Sequence, residues 1–289
     1  MASDFAANTE HHAQATTSSQ HHHPSSPLDF NHRHTIPPRQ HVSNGAAQTL
    51  KFKPIYPNQP MSLSGISLRA FVLGAVFSSA LSATLLALLL TSSPLWRIPF
   101  FISALSLFHF LEFWTTAARN TPEATVSAFL LAANWPAYPI AHTMACLECL
   151  VTNTLFANRR WAPPHTAALS LALGLLMVAA GQAVRSMAMM HAGTSFNHTV
   201  QTRKADSHTL VTTGVYALCR HPSYFGFFYW GLGTQMVLGN AFCFVGYAYV
   251  LSRFFSGRVR VEEGKLVEFF GGEYLRYRAR VGTMMPFVG

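Results

Sequence analysis

Six apolar runs follow one another between residues 68 and 255, and they limit this chain more than anything else in its sequence. They are Leu68 to Leu90, Ile98 to Ala118, Ile140 to Phe156, Thr166 to Met190, Ser223 to Leu238 and Ala241 to Phe255. An α-helix needs about 20 residues to cross roughly 30 Å of hydrocarbon, and each run is near that length. Turn residues and charges separate them. Arg69 opens the first run, Pro94 and the Trp96-Arg97 pair follow it, Asn120-Thr121-Pro122 ends the second, and Asn158, Arg159 and Arg160 close the third. Only Gly239-Asn240 divides the last two, which leaves room for nothing but a helical hairpin with its arms packed together. The expected fold is all-α: a polytopic membrane protein with about six transmembrane helices, a tight C-terminal helical hairpin and a pocket at the cytosolic face.

Composition agrees. Half of the 289 residues are apolar and only 11% are charged, against roughly 25% in a soluble domain. A soluble enzyme of this size needs a charged shell, and this chain cannot build one. A disulfide-rich secreted domain and a coiled coil are disfavoured on the same ground. The polar residues are concentrated at the two ends. Residues 1–60 hold eight of the fifteen histidines amid Ser, Thr, Gln, Asn and Pro, with no apolar period. Such a segment buries too little apolar surface to offset its ordering entropy, so a disordered tail is expected. Residues 61–190 form an N-terminal set of helices, and residues 191–289 a C-terminal region that carries the chemistry.

The net charge of +9 is spread in short clusters between the apolar runs. That pattern suits an anionic leaflet and argues against nucleic acid. Basic residues also give the orientation. Lys51, Lys53, Arg69, Arg203, Lys204, Arg220, Arg253, Arg258, Arg260, Lys265, Arg276, Arg278 and Arg280 fall on one side of six spans, and Arg97, Arg159 and Arg160 on the other. Both termini and the long 191–221 loop are therefore expected in the cytosol, and the Asn197-His198-Thr199 sequon there is expected to go unused. Cys146 and Cys149 form a C-x-x-C within an apolar run and lack a second pair at zinc spacing, so they read as packing residues and no metal site is expected.

Two polar blocks flank the hairpin. One runs from His208 to Tyr216 and then from Arg220 to Gly226; the other contains Arg253, Arg258, Glu262, Glu263 and Tyr274. Pro222 suits the first turn of a helix, so Arg220 and His221 stand at a helix N-terminus able to receive an anion. Arg258 and Glu262, four apart, share a helical face. The hairpin should bring both blocks to one membrane face. Each residue alone also fits a plainer role: an interfacial anchor for R-H-P-S-Y, or a surface ion pair for Arg258 and Glu262. Glu112, Glu148 and Arg185 stand inside apolar runs. A polar transport pathway is one use for them; Glu112 is also placed to pair with Arg185 or to cap a helix.

The whole set of motifs resembles the integral-membrane protein-S-isoprenylcysteine O-methyltransferases of eukaryotes. The resemblance rests on G-T-S-F-N-H-T-V-Q from Gly193, H-T-L-V-T-T-G-V-Y from His208, R-H-P-S-Y-F-G-F from Arg220 and G-T-Q from Gly233. It continues with R-F-F from Arg253, the Glu262-Glu263 pair, F-F-G-x-E-Y from Phe269 and M-P-F near the end. His109 to Trp114 is similar to the family's second span. The short R-H-P-x-Y element is shared with phospholipid N-methyltransferases and some membrane sterol reductases, which are the alternative readings, with a non-enzymatic transporter or scaffold behind them.

The resemblance implies methyl transfer from S-adenosyl-L-methionine to the C-terminal carboxylate of a prenylated cysteine, in trimmed CaaX proteins such as small GTPases. It implies residence in the endoplasmic reticulum membrane. It also implies cofactor contacts at Gln201, His208, Thr209, Leu210, Val211, Tyr216, His221, Pro222, Ser223, Tyr224 and Glu262. Arg258 would face the substrate carboxylate, and Arg258 and Glu262 are the candidate catalytic pair. The nucleophile is already ionised at neutral pH, so no general base is needed. No strand followed by G-x-G-x-x-G is present; Gly231 and Gly233 lie in an apolar run and read as close helix packing.

Overall fold

The computed structural model describes residues 53–156 and 166–288. The histidine-rich tail expectation falls almost wholly on residues 1–52, outside the described residues, as do Lys51, Arg159 and Arg160. The described residues hold seven α-helices: α1 (Leu63–Leu90), α2 (Arg97–Arg119), α3 (Ala137–Leu155), α4 (Thr166–Ala192), α5 (Pro222–Leu238), α6 (Phe242–Phe270) and α7 (Gly272–Arg280). No strand occurs among them. Three helical stretches, Leu63–Leu90, Pro94–Arg119 and Thr166–Ser195, are long and apolar enough to cross a membrane.

Local chemistry sets the ends. The hydroxyl of Ser62 caps α1 by accepting from the Gly65 N–H at 3.1 Å. Pro222 occupies the first turn of α5, as the sequence predicts. Gly239, at φ +75°, ends α5 in the left-handed region and lets the chain reverse into α6. Helix α6 differs from expectation in length. Its apolar run stops at Phe255, yet the helix continues through the charged segment to Phe270, where Gly271 (φ +53°) ends it. Loss of apolar character moves a helix out of lipid but does not terminate it; a conformational break does.

The hairpin arms pack as expected, with Phe228 and Leu232 of α5 against Phe255 and Val259 of α6 and Met285 and Val288 of the C-terminal segment. A second contact of α5 is tighter. Gly226 and Gly233 of α5 meet Gly181 and Gly174 of α4 backbone to backbone. A Cβ at Gly226 would lie 2.6 Å from the Gly181 carbonyl oxygen, and one at Gly233 would lie 2.8 Å from that of Gly174. Gly233 thus has the close-packing role its sequence suggests, toward α4. Gly226→Ala is expected to force the two helices apart at a cost of about 1–3 kcal/mol. Gly74→Ala is the control, because a Cβ there meets nothing within 4 Å. Thermal unfolding in detergent measures both; equal stability of the two variants would contradict the crossing.

Helix α3 grips the hairpin tip. Glu148 accepts hydrogen bonds from the N–H groups of Ala241, Phe242 and Cys243 at 2.7, 2.9 and 2.7 Å, capping α6 from another helix. The Asn240 side chain donates to the Ala145 carbonyl at 2.9 Å. Cys149 is fully buried beside Ala145, Phe101 and Leu238, with Cys146 against the same cluster, which makes the C-x-x-C a packing element.

Candidate active site

The site begins in the irregular chain between α4 and α5. Gly214 (φ +59°) turns the backbone where the His191 ring leaves no space for a Cβ, the nearest ring atom lying at 2.8 Å. Residues 208–213 thereby run outside any helix, where the His208 N–H donates to the Ala205 carbonyl at 2.9 Å and the Thr209 N–H to Ser195 Oγ at 3.1 Å. The Tyr277 hydroxyl donates to the Tyr216 carbonyl at 2.6 Å, and Cys219 Sγ donates to the Thr283 carbonyl at 3.0 Å. Both contacts fasten this stretch to the C-terminal segment.

Glu263 is the hub of the turn that enters α5. Arg220 Nε donates to its Oε1 at 2.6 Å, His221 Nε2 lies 3.2 Å from the same oxygen, and Arg278 Nη1 stands 3.6 Å from Oε2. Burial opposes ionisation of this carboxyl. The hydrogen bonds from His221 and Arg220, with the Arg220 charge, outweigh it and hold the group down at about 2. The R-H-P-S-Y element is therefore tied to protein, with Arg220 also donating to the Val281 carbonyl at 2.7 Å. His208 is held below the usual imidazole range by burial and by Lys204, against the pull of Glu262.

One turn into α5, Tyr224 joins the two polar blocks. Its ring stacks on His221 at 5.6 Å and on Phe255 at 5.0 Å. Its hydroxyl donates to Glu262 Oε2 at 2.5 Å and accepts from Arg258 Nε at 3.1 Å. Arg258 and Glu262 thus meet through a tyrosine hydroxyl, not as a direct ion pair. Arg258 also donates through Nη2 to the His198 carbonyl. Among the described residues, no carboxylate lies within ion-pair distance of Arg258.

Two recesses meet at Tyr224. The first is lined by His208, Thr209, Leu210, Val211, Tyr216, His221, Pro222, Ser223, Tyr224 and Glu262, together with Phe196, Asn197, Leu266 and Tyr274. Ten of the eleven residues expected to contact a cofactor therefore share one wall. Gln201 lies in an adjoining recess that shares His208, Tyr224 and Glu262, and its amide donates to the Thr199 carbonyl at 3.2 Å. The second recess, a cavity of about 550 Å³, receives Arg258 and is lined by Phe108, Leu130, Tyr138, Phe227, Phe254 and Phe255. Phe196, Asn197, Ser223 and Tyr224 belong to both recesses and form the partition. Beyond Tyr138, Phe227 and Phe254 the space continues as an apolar groove of about 830 Å³ between α3 and α6.

The sequence reading missed the segment 126–134, which walls the cavity from an apparently structureless stretch, and missed Phe196 and Asn197 as a partition. It left Glu112 two roles, pairing with Arg185 or capping a helix. The structure pairs them: Arg185 Nε and Nη2 donate to the two oxygens of Glu112 at 2.5 and 2.6 Å, with Glu112 1% and Arg185 7% exposed. A polar pathway has no support in that geometry, since both groups are consumed by each other and Glu148 is a helix cap.

A carboxylate-bearing recess and a guanidinium in an apolar cavity, one tyrosine apart, suit a reaction between a cationic donor and an anionic lipid-linked acceptor. The comparisons point the same way. The model of the "Isoprenylcysteine carboxyl methyltransferase (ICMT) family" matches residues 172–268. The protein-S-isoprenylcysteine O-methyltransferase of Saccharomyces cerevisiae is 48% identical over 65% of this chain and 79% of its own length. The Homo sapiens protein of that name is 42% identical over 77% of this chain and 75% of its own. A solved structure of the eukaryotic intramembrane Ras methyltransferase ICMT superposes with a TM-score of 0.71 at 33% identity, covering 84% of this chain and 83% of the other. By sequence and by fold, this chain belongs to the isoprenylcysteine carboxyl methyltransferase family.

Proposed function

We propose that this chain methylates the C-terminal carboxylate of prenylated cysteine in trimmed CaaX proteins such as small GTPases, with S-adenosyl-L-methionine as donor. One observation carries the reading: Arg258, without a carboxylate partner among the described residues, lines a largely apolar cavity beside the Glu262 recess, with Arg69 and Arg185 also on its wall. A guanidinium so placed is incomplete without an anion, and an apolar cavity recruits one that is attached to a hydrocarbon chain.

The Glu262 recess suits the donor by its chemistry. A carboxylate can take the ammonium of an amino acid, the irregular backbone at Leu210 and Val211 offers donors and acceptors, and the rings of His208, Tyr216 and Tyr224 with Leu210 and Leu266 offer apolar faces. When bound, S-adenosyl-L-methionine supplies an electrophilic methyl group on a sulfonium cation. Arg258 holds the carboxylate and fixes the direction of its lone pairs. Tyr224, which bonds both Arg258 and Glu262, sets the spacing of the two ligands. Phe254, Phe255 and Phe227 exclude water, which strips solvation from charges that cancel as the transition state forms. The prenyl chain lies along the cavity and leaves through the groove between α3 and α6, where each buried CH₂ is worth about 0.8 kcal/mol.

In this reading α1 to α6 all cross the bilayer of the endoplasmic reticulum, with termini and site cytosolic, and residues 191–289 form the catalytic region. Membranes containing the chain are expected to methylate N-acetyl-S-farnesylcysteine in a donor-dependent way. They should leave N-acetylcysteine and phosphatidylethanolamine unmodified. Equal turnover with and without the prenyl group would overturn the assignment.

A further inference from the structure

We infer that a polar ladder on α2 aims Arg258, with Thr116 and His198 as positioning residues; the inference rests on Arg258 receiving the substrate carboxylate. Glu112, Thr116 and Asn120 recur at four-residue spacing and so face one way. Two of the rungs bond the loop that follows α4, and the third lies beside it. Asn120 Nδ2 donates to the Phe196 carbonyl at 2.9 Å. Thr116 Oγ1 lies 3.1 Å from His198 Nε2 and donates to the Glu112 carbonyl at 2.8 Å. Glu112 Oε2 lies 3.6 Å from His198 Nδ1. The His198 side chain is 14% exposed, and its Nε2 has Thr116 as its hydrogen-bond partner.

This loop matters because the His198 carbonyl accepts from Arg258. The other acceptor of Arg258 is the Tyr224 hydroxyl on α5. Both acceptors are referred to one buried ion pair. Glu112 faces His198 directly, and Arg185, bound to Glu112, donates through Nη1 to the Ser223 carbonyl and hydroxyl at 3.1 and 3.0 Å, one residue before Tyr224. An arginine side chain carries about 2 kcal/mol of rotamer entropy, so two acceptors at a fixed separation are what convert a mobile cation into a directed one. Thr116 lines neither recess, and its reach to the reaction runs through His198 alone.

The test measures affinities of the purified full-length protein for N-acetyl-S-farnesylcysteine, for its methyl ester and for S-adenosyl-L-methionine. Thr116→Val, which keeps shape and removes the hydroxyl, is expected to weaken the acid about tenfold and leave the ester and the donor within about twofold. Thr116→Ser should restore the acid. In an Arg258→Ala background, Thr116→Val should add nothing, since coupled positions are non-additive. Equal losses for acid and ester, or an undiminished loss in that background, would overturn the inference. If Thr116→Val does not fold, His198→Ala is read by the same three affinities and the same criteria. Should Arg258→Ala itself leave the preference for acid over ester intact, the reading of Arg258 fails first, and separately.

Discussion

Arg258→Ala is expected to lower kcat/KM for N-acetyl-S-farnesylcysteine by at least about a thousandfold, close to 4 kcal/mol of transition-state stabilisation. The size follows from what the guanidinium faces. A carboxylate drawn into a cavity walled by Phe108, Phe227, Phe254 and Phe255 loses its hydration, and an unpaired buried charge costs about 3–5 kcal/mol. The split between parameters is also predictable. The carboxylate is most negative before reaction and loses charge as the methyl group arrives, so Arg258 binds the ground state at least as strongly as the transition state. Most of the loss should appear in KM, about a hundredfold, with about tenfold in kcat from lost alignment. Lysine at 258 restores charge without the fork that bonds Tyr224 and the His198 carbonyl together, so it should recover KM in part and kcat little. Donor affinity, measured separately by calorimetry, should stay near wild type. A variant with near-normal kcat/KM would remove Arg258 from the site.

Much of this architecture is legible in the sequence because lipid imposes a simple code. Helices α1, α2 and α4 are readable as apolar runs, and their ends fall within a few residues of Ser62, Asn120 and Gly193, where caps and glycines belong. The ten residues on one recess wall follow from the family resemblance of their motifs and not from any local period; the short hairpin brings them together. Partnerships are harder to read. Arg220 with Glu263, Tyr224 with Glu262 and Glu148 with the start of α6 join residues 43, 38 and 93 or more positions apart. No local period encodes such distances; they follow from how helices cross. That crossing is fixed by glycines at 174, 181, 226 and 233, whose spacing of seven is visible in the sequence, but whose facing helix is not. The same limit hid residues 126–134, whose short helical turn from Val126 to Phe129 carries no amphipathic signal yet closes the cavity.

The ion pair between Glu112 and Arg185 supports the second large effect. Glu112→Ala is expected to destabilise the protein by about 3–5 kcal/mol, because Arg185 is then left charged and only 7% exposed without its carboxylate. Unfolding in detergent should show a fall of roughly 10 °C in Tm for a chain of this size. The Arg185 guanidinium lies 5.3 Å from the ring centroids of both Phe108 and Phe227, so the surrounding walls are apolar and suit uncharged replacements. The double variant Glu112→Leu, Arg185→Met should therefore regain most of the lost stability, since neither charge remains to be solvated. It should not regain activity. Without Arg185, the Ser223 carbonyl and hydroxyl lose their donor. Without Glu112, the His198 ring loses the carboxylate opposite Nδ1. The start of α5 and the loop after α4 would then share no common reference, and KM for the prenylated acid should stay raised in a stable protein. A double variant that is stable and fully active would reduce the pair to a packing element; one that remains as unstable as Glu112→Ala would show that its charges are needed for the fold itself.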